Sequence, residues 1–159
     1  MNTSRRLAAV LAPLLLAAAG CGGGESAGPS LTGTVTFNGQ PLPDANLTFE
    51  PDGPGGATAY GRSDENGVYT VHTGRSLEGI APGKYNVGVE AYTIQPGMFD
   101  AAGNYVENGQ LAIPKSFTSP KTSGLFVVVT EAPDNTADIP IEGEAPTAPE
   151  APTPDAAIR

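Results

Sequence analysis

Apolar and polar residues alternate with period two through the middle of the chain. In 31–37, Leu31, Val35 and Phe37 fall on one face, and Thr32, Thr34 and Thr36 on the other. That period, with β-branched residues, predicts a half-buried strand. Leu47 and Phe49 repeat it, opposed by Asn46, Thr48 and Glu50. So do 58–63 around Tyr60, 68–72 with Tyr69 and Val71, and 84–92 with Tyr85, Val87, Val89 and Ala91. Residues 125–130 are apolar on both faces, which predicts a central strand covered on both sides. Ile139 and Ile141 flank Pro140, which lacks a ladder donor and marks an edge strand. Turn signals separate these runs. Asn38-Gly39 and Asn66-Gly67 tolerate positive φ, and Pro82-Gly83 fits the centre of a type II turn. Seven short strands punctuated in this way predict an all-β, single-domain sandwich over 31–142.

The flanks follow other patterns. Arg5 and Arg6 precede an apolar run over 7–19, too short to span a bilayer comfortably as a helix of about 20 residues. Residues 1–20 therefore read as a secretory signal helix. Residues 21–30, rich in glycine, predict a flexible tether. Residues 143–159 carry Pro146, Pro149, Pro152 and Pro154 among alanines and acids, and predict a disordered tail. Residues 93–112 show no alternation, and a loop of that length is functional or disordered. It carries Met98, Phe99 and Tyr105, the candidate binding residues.

Composition narrows the chemistry. Gly numbers 21 and Pro 16, so turns are frequent and long helices are not expected beyond the N-terminus. One Cys and one His leave no disulfide, no cysteine zinc site and no multi-histidine metal site. His72 falls on the solvent side of its strand. No Gly-x-Ser-x-Gly is present, and Ser123-Gly124 has no base nearby in sequence. The Asp64-Glu65-Asn66-Gly67 run is too short to supply a calcium ion by itself, and its composition is that of a hairpin turn. No catalytic residue, cofactor or metal is expected. A net charge of −9 argues against nucleic acid. Of the aromatic residues, only Tyr60, Tyr92, Phe99 and Tyr105 could serve as a sugar platform, and most of them read as core or loop plugs.

Two resemblances sharpen this reading. Ala18-Ala19-Gly20-Cys21 resembles a bacterial lipobox, with Ala18 where that pattern usually has Leu. The resemblance implies a diacylglyceryl group on Cys21 and attachment to a membrane. Gly33-Thr34-Val35, Asn38-Gly39-Gln40-Pro41-Leu42, Ala45 with 47–50, Ser63-Asp64-Glu65-Asn66-Gly67-Val68-Tyr69 and Pro82-Gly83-Lys84-Tyr85 occur in order. Together they resemble the carboxypeptidase regulatory-like domain, a transthyretin-like (prealbumin-like) Greek-key sandwich. Ile113-Pro114-Lys115-Ser116-Phe117 and Thr122-Ser123-Gly124-Leu125 are similar to a subgroup of small bacterial lipoproteins that carry it. The resemblance implies an accessory, binding or structural module of the cell envelope without peptidase activity. Its partners would be the membrane, through Cys21, and an envelope protein or glycan. A carbohydrate- or peptide-binding module using the 93–112 loop is the alternative.

Overall fold

A strand whose every second side chain is apolar has one face to bury, and burial decides where it sits. In the computed structural model, which describes residues 27–54, 56–74 and 77–147, strand β1 (Ser30–Phe37) buries Leu31 and Val35 completely. Asn38 and Gly39 take φ of 50° and 77° and turn the chain into β2 (Gln40–Pro41). Phe37 then lies opposite Gln40, as in a two-residue hairpin. There follow β3 (Asn46–Pro51), β4 (Ala59–Ser63), β5 (Val68–Thr73), β6 (Leu77–Glu78) and β7 (Gly83–Glu90). Four short strands occupy the next stretch: β8 (Tyr92–Ile94), β9 (Met98–Phe99), β10 (Tyr105–Val106) and β11 (Gln110–Leu111). A 3-10 turn over Lys115–Thr118 leads to β12 (Leu125–Val129), β13 (Asp134–Thr136) and β14 (Ile139–Ile141).

Ten of these strands form one sheet in the order β12-β7-β3-β4-β5-β1-β13, with β14 and β2 also on β1 and β6 on β5. Neighbours are antiparallel except β13 and β14, which run parallel to β1. The architecture is all-β, and the curled sheet is consistent with a sandwich. Its inner face encloses Leu47, Phe49, Tyr69, Tyr85, Val87 and Val89, all nearly or fully buried. Phe49 and Tyr69 meet at 5.8 Å between ring centroids. Full burial of each such side chain contributes about 1.5–3 kcal/mol against its exposed state. Among the described residues the two buried polar side chains, Ser63 and Asn135, are both satisfied. Ser63 Oγ donates to the Leu42 carbonyl at 2.7 Å and accepts from Ala45 N–H at 2.9 Å, tying the β2–β3 connection to β4. Asn135 Oδ1 accepts from Thr130 N–H and Oγ, and its Nδ2 donates to the Ala132 carbonyl.

The seven expected strands fall at β1, β3, β4, β5, β7, β12 and β14, but the described residues hold fourteen strands. Several expectations need correction. Residues 125–130 do not form a covered central strand. β12 pairs only with β7, and Phe126 and Val128 are 61% and 59% exposed. The Lys84 ammonium stands 5.1 Å from the Phe126 ring centroid, a partial cover for that apolar face. Pro82-Gly83 is no type II turn, because Gly83 already belongs to β7, opposite Val129. In the β4–β5 turn only Gly67 has positive φ, at 75°; Asn66 does not. His72 lies on the outward face of β5 with Val68 and Thr70, as expected, and is half-buried there, its ring centroid 6.4 Å from that of Tyr60 across the ladder. The tether ends earlier than residue 30. Ala27 N–H donates to the Glu78 carbonyl at 2.8 Å, Ile80 N–H to the Pro29 carbonyl at 3.0 Å, and Ser30 begins β1. Residues 143–147 are placed against the domain rather than apart from it, as described below. The signal segment, Cys21 and residues 148–159 lie outside the described residues.

Candidate functional site

The stretch expected as a bare loop over 93–112 is two stacked ladders. At its base β8 pairs with β11, and Ala112 N–H closes on the Ala91 carbonyl at 2.8 Å. Gly109 makes this narrow base workable. Its φ is +67°, and a Cβ there would stand 2.7 Å from the Ile94 carbonyl oxygen. Beyond the base, β9 and β10 form a hairpin with Phe99 opposite Tyr105 and Met98 opposite Val106.

A five-residue turn fixes the tip. Gly103 N–H donates to the Asp100 carbonyl at 3.0 Å, and Asp100 N–H donates to the Asn104 carbonyl at 2.9 Å. The Asp100 carboxylate accepts from the N–H groups of Ala102 and Asn104 and from Asn104 Nδ2. Gly103 completes the turn at φ 85°. The β4–β5 turn repeats this arrangement: Asp64 Oδ1 accepts from Asn66 and Val68 N–H, Gly67 N–H donates to the Asp64 carbonyl, and Asp64 N–H to the Val68 carbonyl. Asp64 and Asp100 are thus both turn-formers, each with Oδ1 accepting from two backbone N–H groups of its own turn.

The Asn104 side chain first, and its backbone N–H second, hold the Asp100 carboxyl below the usual carboxylate range. A depressed folded value means that tip order is fully present above the ordinary carboxylate pKa. It is lost as pH falls through the depressed value. An acid titration followed by amide NMR is expected to move Ala102 and Asn104 together, below the range where free aspartate titrates. Movement at the free-aspartate value would refute this account of the tip.

The rigid tip carries three exposed apolar side chains: Met98, Phe99 and Tyr105, at 56%, 66% and 61% exposure. The strand pairing brings Phe99 and Tyr105 together, with ring centroids 5.5 Å apart and planes at 63°. They are neither core nor loop plugs, and Tyr60 is exposed as well. Their position in the sheet follows from strand direction. Four antiparallel steps lead from β7 through β3, β4 and β5 to β1, so β1 and β7 run the same way. Ser30 and Gly83 therefore share one end of the sheet, and Phe37 and Glu90 the other. The chain enters at the first end, and the segment bearing the hairpin leaves from the second.

Other candidates resolve into structural roles. Ser123 Oγ donates to the Val87 carbonyl and accepts from Leu125 N–H, which seats the start of β12. Among the described residues no three His, Cys, Asp or Glu side chains converge, and no helix is long and apolar enough to cross a membrane. Sequence reasoning missed the outward face of Phe126 and Val128. It also missed a cleft at the hairpin base bordered by Tyr92, Leu111, Lys115 and Pro146.

No family model and no curated protein matches the chain. Among solved structures, a 9R-lipoxygenase from Cyanothece PCC8801 aligns with 94% of this chain at 15% identity and a TM-score of 0.36. The alignment covers 20% of that enzyme, so the chain spans about a fifth of its length. A likeness this slight carries no argument about fold or activity.

Proposed function

We propose that this protein is an exported lipoprotein, anchored to a cell-envelope membrane through a lipidated Cys21. Its sandwich, of the transthyretin-like Greek-key kind, would act as a non-enzymatic module that holds a protein partner on the hairpin of β9 and β10. The observation that carries this reading is the exposed Phe99–Tyr105 pair on a rigid turn, at the end of the sheet opposite the chain's entry. An anchor at Cys21 would leave that pair facing away from the membrane. Aromatic anchors that fill pockets dominate protein interfaces. The 63° angle between the rings favours a protein partner over a glycan. A sugar platform stacks flat faces, and these two rings do not offer one common plane.

Two measurements test the reading separately. Cys21→Ser is expected to move the protein from the detergent phase to the aqueous phase, because stable anchoring requires more than one acyl chain. A serine variant that stays with detergent would remove the lipoprotein reading. The double substitution Phe99→Ala with Tyr105→Ala is expected to weaken capture of an envelope protein by at least about tenfold, the loss typical of a hot-spot pair. The same variant should keep the wild-type melting temperature. Undiminished capture would leave a structural role or another surface as the better account.

A further inference from the structure

Residues 142–147 leave β14 and cross the end of the sandwich from which the hairpin departs. The Asn38 side chain sets their path. Its Nδ2 donates to the Gly143 carbonyl at 2.9 Å, and its Oδ1 accepts from Gly143 N–H at 3.1 Å. Gly143 lies close to Pro114, whose Cγ would be 3.1 Å from a Cβ at that position. Residues 142–145 and Thr147 are exposed, and Pro146 alone among them is half-buried. Pro146 borders a cleft of about 360 Å³ whose walls include Glu90, Tyr92, Leu111, Lys115 and Thr118. Lys115 is exposed and forms no ion pair among the described residues, whereas Arg62, Lys84 and Lys121 each have a carboxylate.

The sequence beyond the cleft matches it. Pro146, Pro149 and Pro152 recur at every third residue. A polyproline II helix has three residues per turn, so in that conformation the three rings would share one edge. Glu150 follows Pro149 in the sequence. The segment from Pro146 to Pro152 spans about 19 Å at the polyproline II rise of about 3.1 Å per residue. The ring of Tyr92 and the aliphatic side chain of Leu111 suit an extended proline-rich chain, and of the two charged residues on the wall, Glu90 and Lys115, it is Lys115 that would take its acid.

We propose that this cleft is a receptor for an extended proline-rich segment, and that residues 146–152 of the chain's own tail are its occupant. Pro149 then packs on Tyr92 and Leu111 in the cleft that Pro146 borders, and Glu150 pairs with Lys115. The tail is then a strap seated at the foot of the aromatic hairpin. The inference does not depend on the membrane anchor or on the hairpin's partner.

Amide ¹⁵N–¹H NOE values at Glu150 and Ala151 of the full chain test it. In the wild type they should approach those of the sandwich. Lys115→Glu, an exposed change that leaves the core untouched, should reduce them to free-chain values. Tyr92→Ala should do the same. Lys115→Glu combined with Glu150→Lys should restore them at Ala151. Free-chain values in the wild type would overturn the proposal. So would wild-type values that neither Lys115→Glu nor Tyr92→Ala changes. Failure of the charge reversal to restore order, after Lys115→Glu had removed it, would overturn the Lys115–Glu150 pairing.

Discussion

Val87→Asp is expected to abolish folding. Val87 is fully buried, between Phe49 of β3 and Leu125 of β12 in the ladder. Its inward neighbours on β7 are Tyr85 and Val89, so no cation faces the position. A carboxyl group there must remain charged without a partner or take up a proton, and either state costs several kcal/mol. The lost valine contact adds to that cost. A domain with about 5–15 kcal/mol of net stability does not absorb the sum. The measurement is the thermal transition by circular dichroism, with Glu90→Lys as the control. Glu90 is exposed on the opposite face, so its substitution is expected to cost no more than about 0.5 kcal/mol. A wild-type melting curve for Val87→Asp would mean that the strand's faces are exchanged, since a slip of one residue inverts every side chain.

That register was legible in sequence because period two is a local property. Leu47 and Phe49, or Tyr85, Val87 and Val89, announce a buried face without reference to their neighbours. What covers a strand is not local. Residues 125–129 read as central because both faces are apolar, yet their place at the end of the sheet depends on which other strands reach β7. The hairpin of β9 and β10 was obscured for a different reason. Ladders two residues long carry no alternation, and the signal lies in the turn. Asp100-Ala101-Ala102-Gly103 has the same first and last residues as Asp64-Glu65-Asn66-Gly67, which was read as a turn. The repeat of that pattern was the available clue. Met98, Phe99 and Tyr105 were legible as unusual residues in a polar stretch, but the pairing of Phe99 with Tyr105 was not. The foot of the hairpin was hidden further, because Tyr92, Lys115 and Pro146 come from distant parts of the chain. The start of the folded unit was misjudged because backbone groups hold 27–30 in place, and backbone bonding leaves no mark on residue type.

Gly33 shows how much one such unmarked contact can decide. It lies on β1 between the residues that pair with β13 and those that pair with β14. At this crossing Ala137 N–H donates to the Thr32 carbonyl at 2.9 Å, and the Tyr69 hydroxyl donates to the Ala137 carbonyl. A Cβ on Gly33 would stand 1.9 Å from that carbonyl oxygen and 3.0 Å from the Tyr69 hydroxyl. The obstacle is backbone, so no rotamer change relieves it. Gly33→Ala must therefore push the β13–β14 connection off β1. That leaves the hydroxyl of Tyr69, whose ring is fully buried, without its acceptor. Burial foremost, and the Asp138 charge second, already raise the Tyr69 pKa, so ionisation offers no escape near neutral pH. The lost acceptor costs about 1–3 kcal/mol and the overpacking about as much again. A fall in melting temperature of about 10–20 °C is expected for Gly33→Ala. Tyr69→Phe removes the hydroxyl without adding bulk, and should cost only about 1 kcal/mol. The difference between the two variants measures the close approach itself. A melting temperature for Gly33→Ala within about two degrees of the wild type would mean that Ala137 does not rest on β1, and β14 would then lose its claim to a fixed place in the sheet.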